Sequence, residues 1–307
     1  MKKINQLLKE YNHKNFIKAK KLNFLGMQGY NIYNITAPFK INKISYIFGR
    51  VEPSNFKGFV PSKILLFKKK KNSNFWVRDE KFKELNLEDP FYTKINNLFV
   101  MGGVEVKKNN QNLKYRIIFY RGKNIYHLKK FAKGPFGMKD IRLIQLNSKE
   151  IGVFTRPEGK KAGRGKIGFT IIKSLNEINP HTLSNAEIIT GQFFDMEIGG
   201  VNKALILKNN KIGVLGHIAQ KDKQGNSYYP IVFCFDPYTK EKSDLKIILR
   251  RKDIPKGIAK NSKLCNVIFP GGIIRENKGI AKLYVGASDA ESYEIIIKDP
   301  FLIYEKN

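Results

Sequence analysis

Short apolar runs, each ending in glycine and then polar or charged residues, return along the chain at lengthening intervals. Five stand out: Ile44–Glu52, Asn97–Glu105, Ile151–Glu158, Ile212–Ile218 and Leu283–Asp289. With Tyr46, Phe99, Val153, Val214 and Tyr284 as equivalent points, the steps are 53, 54, 61 and 70 residues. That is the length of one four-stranded sheet with growing loops. Further β-branched and aromatic runs lie between them, at Ile64–Phe67, Tyr115–Tyr120, Lys166–Ile172, Ala204–Leu207, Ile231–Phe235 and Tyr293–Ile297. Polar connectors at Lys107–Asn112, Lys208–Lys211, Lys221–Asn226 and Glu276–Gly279 read as hairpin turns. The pattern predicts an all-β fold, a five-bladed β-propeller whose strand ends meet at the centre. Two stacked sandwiches are the competing architecture, but they leave the regular return of the clusters unexplained.

Helical spacing is confined to the start, where Ile4, Leu7, Leu8, Tyr11, Phe16 and Ile17 are separated by charge. Residues 1–24 are therefore expected to form a short N-terminal helical arm, and residues 25–307 a single propeller domain. No Pro/Gly/Ser-rich linker interrupts the series. An apolar content of 42% is enough for a substantial core. No run approaches the roughly 18 apolar residues of a membrane span, and the first residues lack the pattern of a secretory leader, so a cytoplasmic protein without a membrane partner is expected.

Cys234 and Cys265 are the only cysteines. Their separation signals neither a disulfide framework nor a zinc site, and both read as small buried hydrophobes. The net charge of +31 invites a nucleic-acid reading, with Lys68–Lys71 followed by Phe75 and Trp76. The lysines are spread along the whole chain, however, and Lys68–Lys71 fall where a hairpin tip belongs. A composition bias that covers solvated faces is the stronger reading, although such a field still draws in phosphate-bearing ligands.

The clusters hold unusual residues for strand ends: Arg50 and Glu52, Glu88 and Asp89, Arg121, Lys139, Asp140 and Arg142, Arg156, Arg164 and Lys166, Asn202, His217, and Asp289. Arg is scarce beside Lys here, yet most clusters contain it, and its rigid fork suits phosphate or carboxylate. Asp89, held by Pro90, reads either as an acid at the rim of the second blade or as an Asp-Pro turn like Asp236-Pro237 and Asp299-Pro300. Gly159–Lys166 reads either as a phosphate cradle or as a flexible basic hairpin; it is not a P-loop, since Ile167 stands where Ser or Thr would hold magnesium. His217 sits between small residues and fits a buried donor better than a metal ligand, and no metal or cofactor site is spelled out. One candidate acid among many cations has a chemical meaning. Hydrolysis of a glycoside needs a second carboxylate, whereas an anionic phosphate nucleophile needs cations to hold it.

The motifs Glu88–Phe91, Gly134–Leu143, Val153–Gly159, Gly163–Gly168, Gly213–Ala219 and Tyr284–Ala290 resemble those of glycosyltransferase family 108, formerly a domain of unknown function. Its members are mannosyltransferases and phosphorylases of mannogen metabolism. The likeness runs from about Arg50 to Phe301. More distantly, Glu88–Pro90 and Gly286–Asp289 are similar to motifs of glycoside hydrolase family 130, five-bladed propellers that phosphorolyse β-mannosides. The resemblance implies that Asp89 is the catalytic acid, protonating the departing oxygen through a sugar hydroxyl while phosphate attacks the opposite face. It further implies sugar contacts from Asp289, Arg50 and Glu52, to which Arg121, Asp140 and Asn202 are added. Lys139, Arg142, Arg156, Arg164, Lys166 and His217 fall to the phosphate side from chemistry and motif membership together. Ile198 stands where relatives are expected to carry Trp, which leaves the acceptor open. The implied reaction is reversible mannosyl transfer between β-1,2-mannooligosaccharide and inorganic phosphate, giving mannose 1-phosphate. Transfer from GDP-mannose by the same site is the close alternative, and a non-catalytic polyanion-binding propeller is the alternative of another class.

Overall fold

In a computed structural model, which describes residues 1–55, 61–109, 112–160, 162–222 and 225–306, strands follow one another from Phe16 to Lys298. The tips of two expected hairpins, residues 110–111 and 223–224, and position 161 of the Gly-rich segment lie outside the described residues. The other two connectors are turns, as expected: strands end at Ile206 and Arg275 and resume at Ile212 and Ile280.

Hydrogen bonding groups the strands into four sheets. The first is centred on Ile44–Pro53, which pairs with Lys63–Lys69 on one side and with Tyr30–Tyr33 and Phe39–Ile41 on the other. The second is the antiparallel run Glu88–Ile95, Leu98–Asn109, Asn112–Gly122 and Lys129–Lys133. The third comprises Arg142–Gln145, Ile151–Thr155, Gly168–Ile172 and Glu187–Ile188. The fourth has eight strands: an antiparallel run of four from Glu197 to Ile247, and another of three from Asn266 to Lys298 with Phe16–Lys21 on its edge, the two joined where Ser227 and Tyr228 meet Asn266 and Val267 in parallel. Tyr46, Phe99, Val153, Val214 and Tyr284 each fall on the second strand of a different antiparallel run.

The core shows how the runs are arranged. Apolar side chains pack between successive runs: Phe48 and Leu66 with Met101 and Ile118, then Phe91 and Val100 with Leu143 and Val153. Phe154 and Phe169 follow with Val214 and Phe235, and Leu215 and Val232 with Leu283 and Ile295. The last run returns to the first, where Tyr284 packs with Ile47 and Phe67. Alternation along each strand thus buries both faces, which explains the long apolar runs.

The N-terminal reading needs correction. The α-helix is only Ile4–Glu10, its Ile4 and Leu7 buried against the fourth sheet's core. Phe16–Lys21 is a strand that pairs antiparallel with Tyr293–Ile297, and Asn23–Leu25 pairs with Phe75–Val77. The open edge of the final hairpin decides the matter, since its unpaired backbone groups take a strand more favourably than a solvated helix would. The arm is accordingly shorter than 1–24, and its second half belongs to the sheets. Cys265 also departs from expectation: it is exposed, while Cys234 is buried.

Candidate active site

Arg50 and Glu52 lie two residues apart on Ile44–Pro53 and so point to the same face. Glu52 is buried, and Arg50 reaches it through Nη2 at 2.6 Å and Nε at 3.0 Å. The same guanidinium meets Glu88 at 3.0 Å and Asp89 at 3.1 Å. Burial opposes its charge, but Asp89, Tyr33, Glu88 and Glu52 together hold its pKa above the usual value. Asn34 Nδ2 donates to the same Asp89 oxygen at 2.7 Å. Burial raises Glu52, yet Arg50, Lys260 and Ser62 outweigh it and hold the carboxyl down at about 2. Glu88 is pushed the other way, first by burial and then by Asp89 and Glu52, against Arg50. Asp289 is raised to about 6, chiefly by burial.

A second nest adjoins the first. Asp140 is buried, with Arg156 Nη1 at 3.2 Å, His217 Nε2 at 3.8 Å and Arg142 Nη2 at 3.9 Å. Burial raises Asp140, but Arg156, His217, Lys139 and Arg142 win and hold it at about 2. Arg142 donates from Nε to the Asn202 carbonyl at 3.0 Å and lies over the Phe91 ring at 4.5 Å. His217 Nδ1 is 2.8 Å from Asn202 Oδ1, and burial pushes its imidazole down to about 4, so it is neutral at pH 7. Gly200 is required here, because a Cβ would stand 2.9 Å from Asp140 Cβ. Among the described residues, Arg156 Nε and Asn202 Nδ2 are buried without a hydrogen-bond partner, and Asp140 Oδ2 is held by the Arg156 ion pair rather than by a hydrogen bond. Buried polar atoms left without a partner are what a polar ligand would complete.

Tyr228 joins the nests. Arg156, Asp140, Asp289 and Asp89 all act on its hydroxyl, which burial first of all pushes up to about 12. Asp89, Asp140 and Asp289 share a further property, left-handed backbone with φ of 48°, 55° and 51°. Side-chain-bearing residues seldom adopt it, and such strain collects at functional sites. Asp89 reaches it at a bulge, where the register between the strands slips between Glu88 and Phe91.

Sequence reasoning thus named residues that the fold brings together: Arg50, Glu52, Asp89 and Asp289 in one nest, Asp140, Arg142, Arg156, Asn202 and His217 in the other. Lys139 stands beside the second, its Nζ 5.8 Å from the Tyr115 ring centre. Two residues lie apart, and a third, Lys166, meets the residue after Arg156 through its backbone. Arg121 bonds Asn176 at 3.1 Å and covers Phe131, and it pairs with Val100, four residues along that strand from Val104, the partner of Glu88. Arg164 is exposed and bonds the Met196 carbonyl at 3.3 Å. Lys166 is half-buried, and its backbone N–H bonds the Pro157 carbonyl. What the Gly-rich segment does supply is Gly165, at φ 130°, laid against Arg156. Sequence reasoning missed Asn34, Tyr33, Ser62 and Lys260. Lys260 pairs with Glu52, and Tyr33 lies under Arg50 at 5.0 Å. Lys203 was also missed: it bonds the Tyr92 carbonyl at 3.2 Å, and burial first, then Arg142, pushes it down to about 8.

With this geometry in hand, comparison with known proteins is informative. Residues 9–303 match the family model described as a protein of unknown function, DUF1861. The chain belongs to the DUF1861 family. A mannose phosphorylase from Leishmania mexicana, solved with a phosphate ion, is 31% identical, with a TM-score of 0.89 over 98% of this chain and 93% of that one. A GDP-mannose-dependent mannosyltransferase from the same organism is 34% identical, also at TM-score 0.89, over 98% and 96%. A β-1,2-mannobiose phosphorylase from Listeria innocua shares the fold at 14% identity, with a TM-score of 0.64 over 91% and 93%. No curated protein matched the sequence. The chain takes its place among glycosyl-transferring enzymes. Among the described residues no helix is long and apolar enough to cross a membrane.

Proposed function

We propose that this protein is an inverting, reversible phosphorylase of β-1,2-linked mannooligosaccharides that yields mannose 1-phosphate. The observation that carries the reading is the adjacency of the two nests, one rich in carboxylates around Arg50, the other holding Arg142, Arg156 and unsatisfied polar atoms. The mannosyl unit lies between them. Asp289 and Glu52 receive its hydroxyls, and Asp89 gives its proton, relayed by a sugar hydroxyl, to the departing glycosidic oxygen as the C–O bond breaks. A phosphate oxygen held by Arg142, Arg156 and Lys139 then bonds the anomeric carbon from the opposite face, which inverts it. In the synthetic direction Asp89 takes the proton back. No second catalytic carboxylate is needed, and Asp140, enclosed by cations, orients them. The core packing that passes from run to run and returns to the first supports a five-bladed ring, with the eight-stranded sheet counted as two blades.

The 34% identity to a GDP-mannose-dependent enzyme favours a second reading, mannosyl transfer from GDP-mannose by the same two nests. Both donors present mannose on phosphate. Incubation with β-1,2-mannobiose plus inorganic phosphate, and separately with GDP-mannose plus mannose, distinguishes them: mannose 1-phosphate is expected from the first mixture and no oligosaccharide from the second. Product from neither sinks both readings and leaves the polyanion-binding one. Asp89→Asn is expected to lower turnover by about 10²–10⁴-fold with an unchanged circular dichroism spectrum. A variant that keeps full turnover would remove Asp89 from the chemistry.

A further inference from the structure

Arg156, on the phosphate side, is already occupied. Arg156 holds Asp140 through Nη1 and Glu158 through Nη2, and Tyr115 donates its hydroxyl to the other Glu158 oxygen at 2.7 Å. The two carboxylates are set differently. Asp140 is walled in, its side chain 3% exposed and its Cβ backed by Gly200, whereas the Glu158 side chain is 28% exposed and has water to turn into.

We propose that Glu158 is a built-in stand-in for phosphate: in the free protein its carboxylate occupies the face of Arg156 that an incoming phosphate oxygen takes, and phosphate binds by displacing it. The inference rests on the phosphorolytic reading above. Charge supports it. Lys139, Arg142 and Arg156 are opposed by Asp140 and Glu158, with His217 neutral. A phosphate dianion added with both carboxylates in place leaves a net negative cluster in a buried setting, where like charges repel strongly. With Glu158 turned outward the cluster is neutral. Geometry supports it as well, since Glu158 gives one oxygen to Arg156 Nη2 and the other to the Tyr115 hydroxyl, and two phosphate oxygens can take both places without moving the arginine. The Tyr115 hydroxyl, released from Glu158, becomes a donor for the newcomer. Phosphate affinity is accordingly lowered by the fraction of molecules in which Glu158 is engaged.

Titration calorimetry of inorganic phosphate into the full-length protein tests this, alongside KM for phosphate and for mannobiose. Glu158→Gln removes the competing charge, and Glu158→Asp keeps it but withdraws it from Arg156. Both are expected to bind phosphate more tightly than the wild type, the first by about tenfold and the second by less, with the shift falling on KM for phosphate rather than for mannobiose. If Glu158 merely braces Arg156, both variants bind phosphate more weakly. Unchanged or weaker binding by both variants, with saturable binding by the wild type, overturns the inference and leaves the phosphorylase reading standing. No saturable binding by the wild type or either variant overturns both. Should Glu158→Gln fail to fold, Glu158→Asp alone gives the sign.

Discussion

Burial raises the Asp289 carboxyl to about 6, against the pull of Arg50 and Lys260, while Asp89 and Glu52 push the same way as burial. The folded protein thus holds this proton more tightly than the unfolded chain, whose Asp titrates near 3.8. Between those values the native state carries more protons, so stability falls as pH rises through the window and the deficit persists above it. Asp289→Asn is expected to raise stability at pH 7 by on the order of 1–3 kcal/mol and to have little effect near pH 4, as thermal unfolding at both pH values would show. Mannoside affinity should fall in the same variant, and stabilisation without that loss would mean that Asp289 does not touch the sugar. Residues of this kind were legible because an Asp or Arg stands out at a strand end in a chain that otherwise uses Lys and Asn. The same rule misled at Arg121 and Arg164, which sit at strand or loop ends away from the nests. It was blind to Lys260 and Asn34, since a Lys or an Asn at a turn is what this composition supplies everywhere.

The edge strand Phe16–Lys21 shows where local pattern ends. Its six residues fit either period, and only the edge of Glu291–Lys298, far along the chain, selects the strand. Phe16 and Ala19 also pack on the core that contains Leu283 and Ile295. Removal of residues 1–21 is therefore expected to expose that edge and lower the melting temperature by at least about 5 °C, with aggregation. Scanning calorimetry with light scattering checks both, and an unshifted transition would mean that the pairing contributes nothing. The central strands, by contrast, were legible almost whole. Each is buried on both faces between neighbouring runs, and continuous β-branched and aromatic stretches follow from that position.

Across the whole molecule, 57 Lys and Arg face 26 Asp and Glu. The excess is long-range and open to screening, unlike the close pairs in the nests. KM for inorganic phosphate is expected to rise several-fold between about 0.05 and 0.3 M salt while kcat holds, because the field concentrates anions without entering the chemical step. Steady-state kinetics at constant pH measures it, and a flat KM would confine the charge to solvation. Spacing made the repetition legible and a ring expected, but the contacts that link its two ends were not, because Phe16–Lys21 read as helix. Those contacts have a consequence for synthesis. Asp289 precedes the strand Glu291–Lys298, and that strand pairs with Phe16–Lys21, more than 270 positions earlier. A chain emerging in order can pair its middle sheets in turn, yet the nest around Arg50 lacks Asp289 until the segment leading into Glu291–Lys298 has been made. The candidate site is therefore completed in the same step that brings Phe16–Lys21 onto the edge of Glu291–Lys298, and not sheet by sheet as the strands are made.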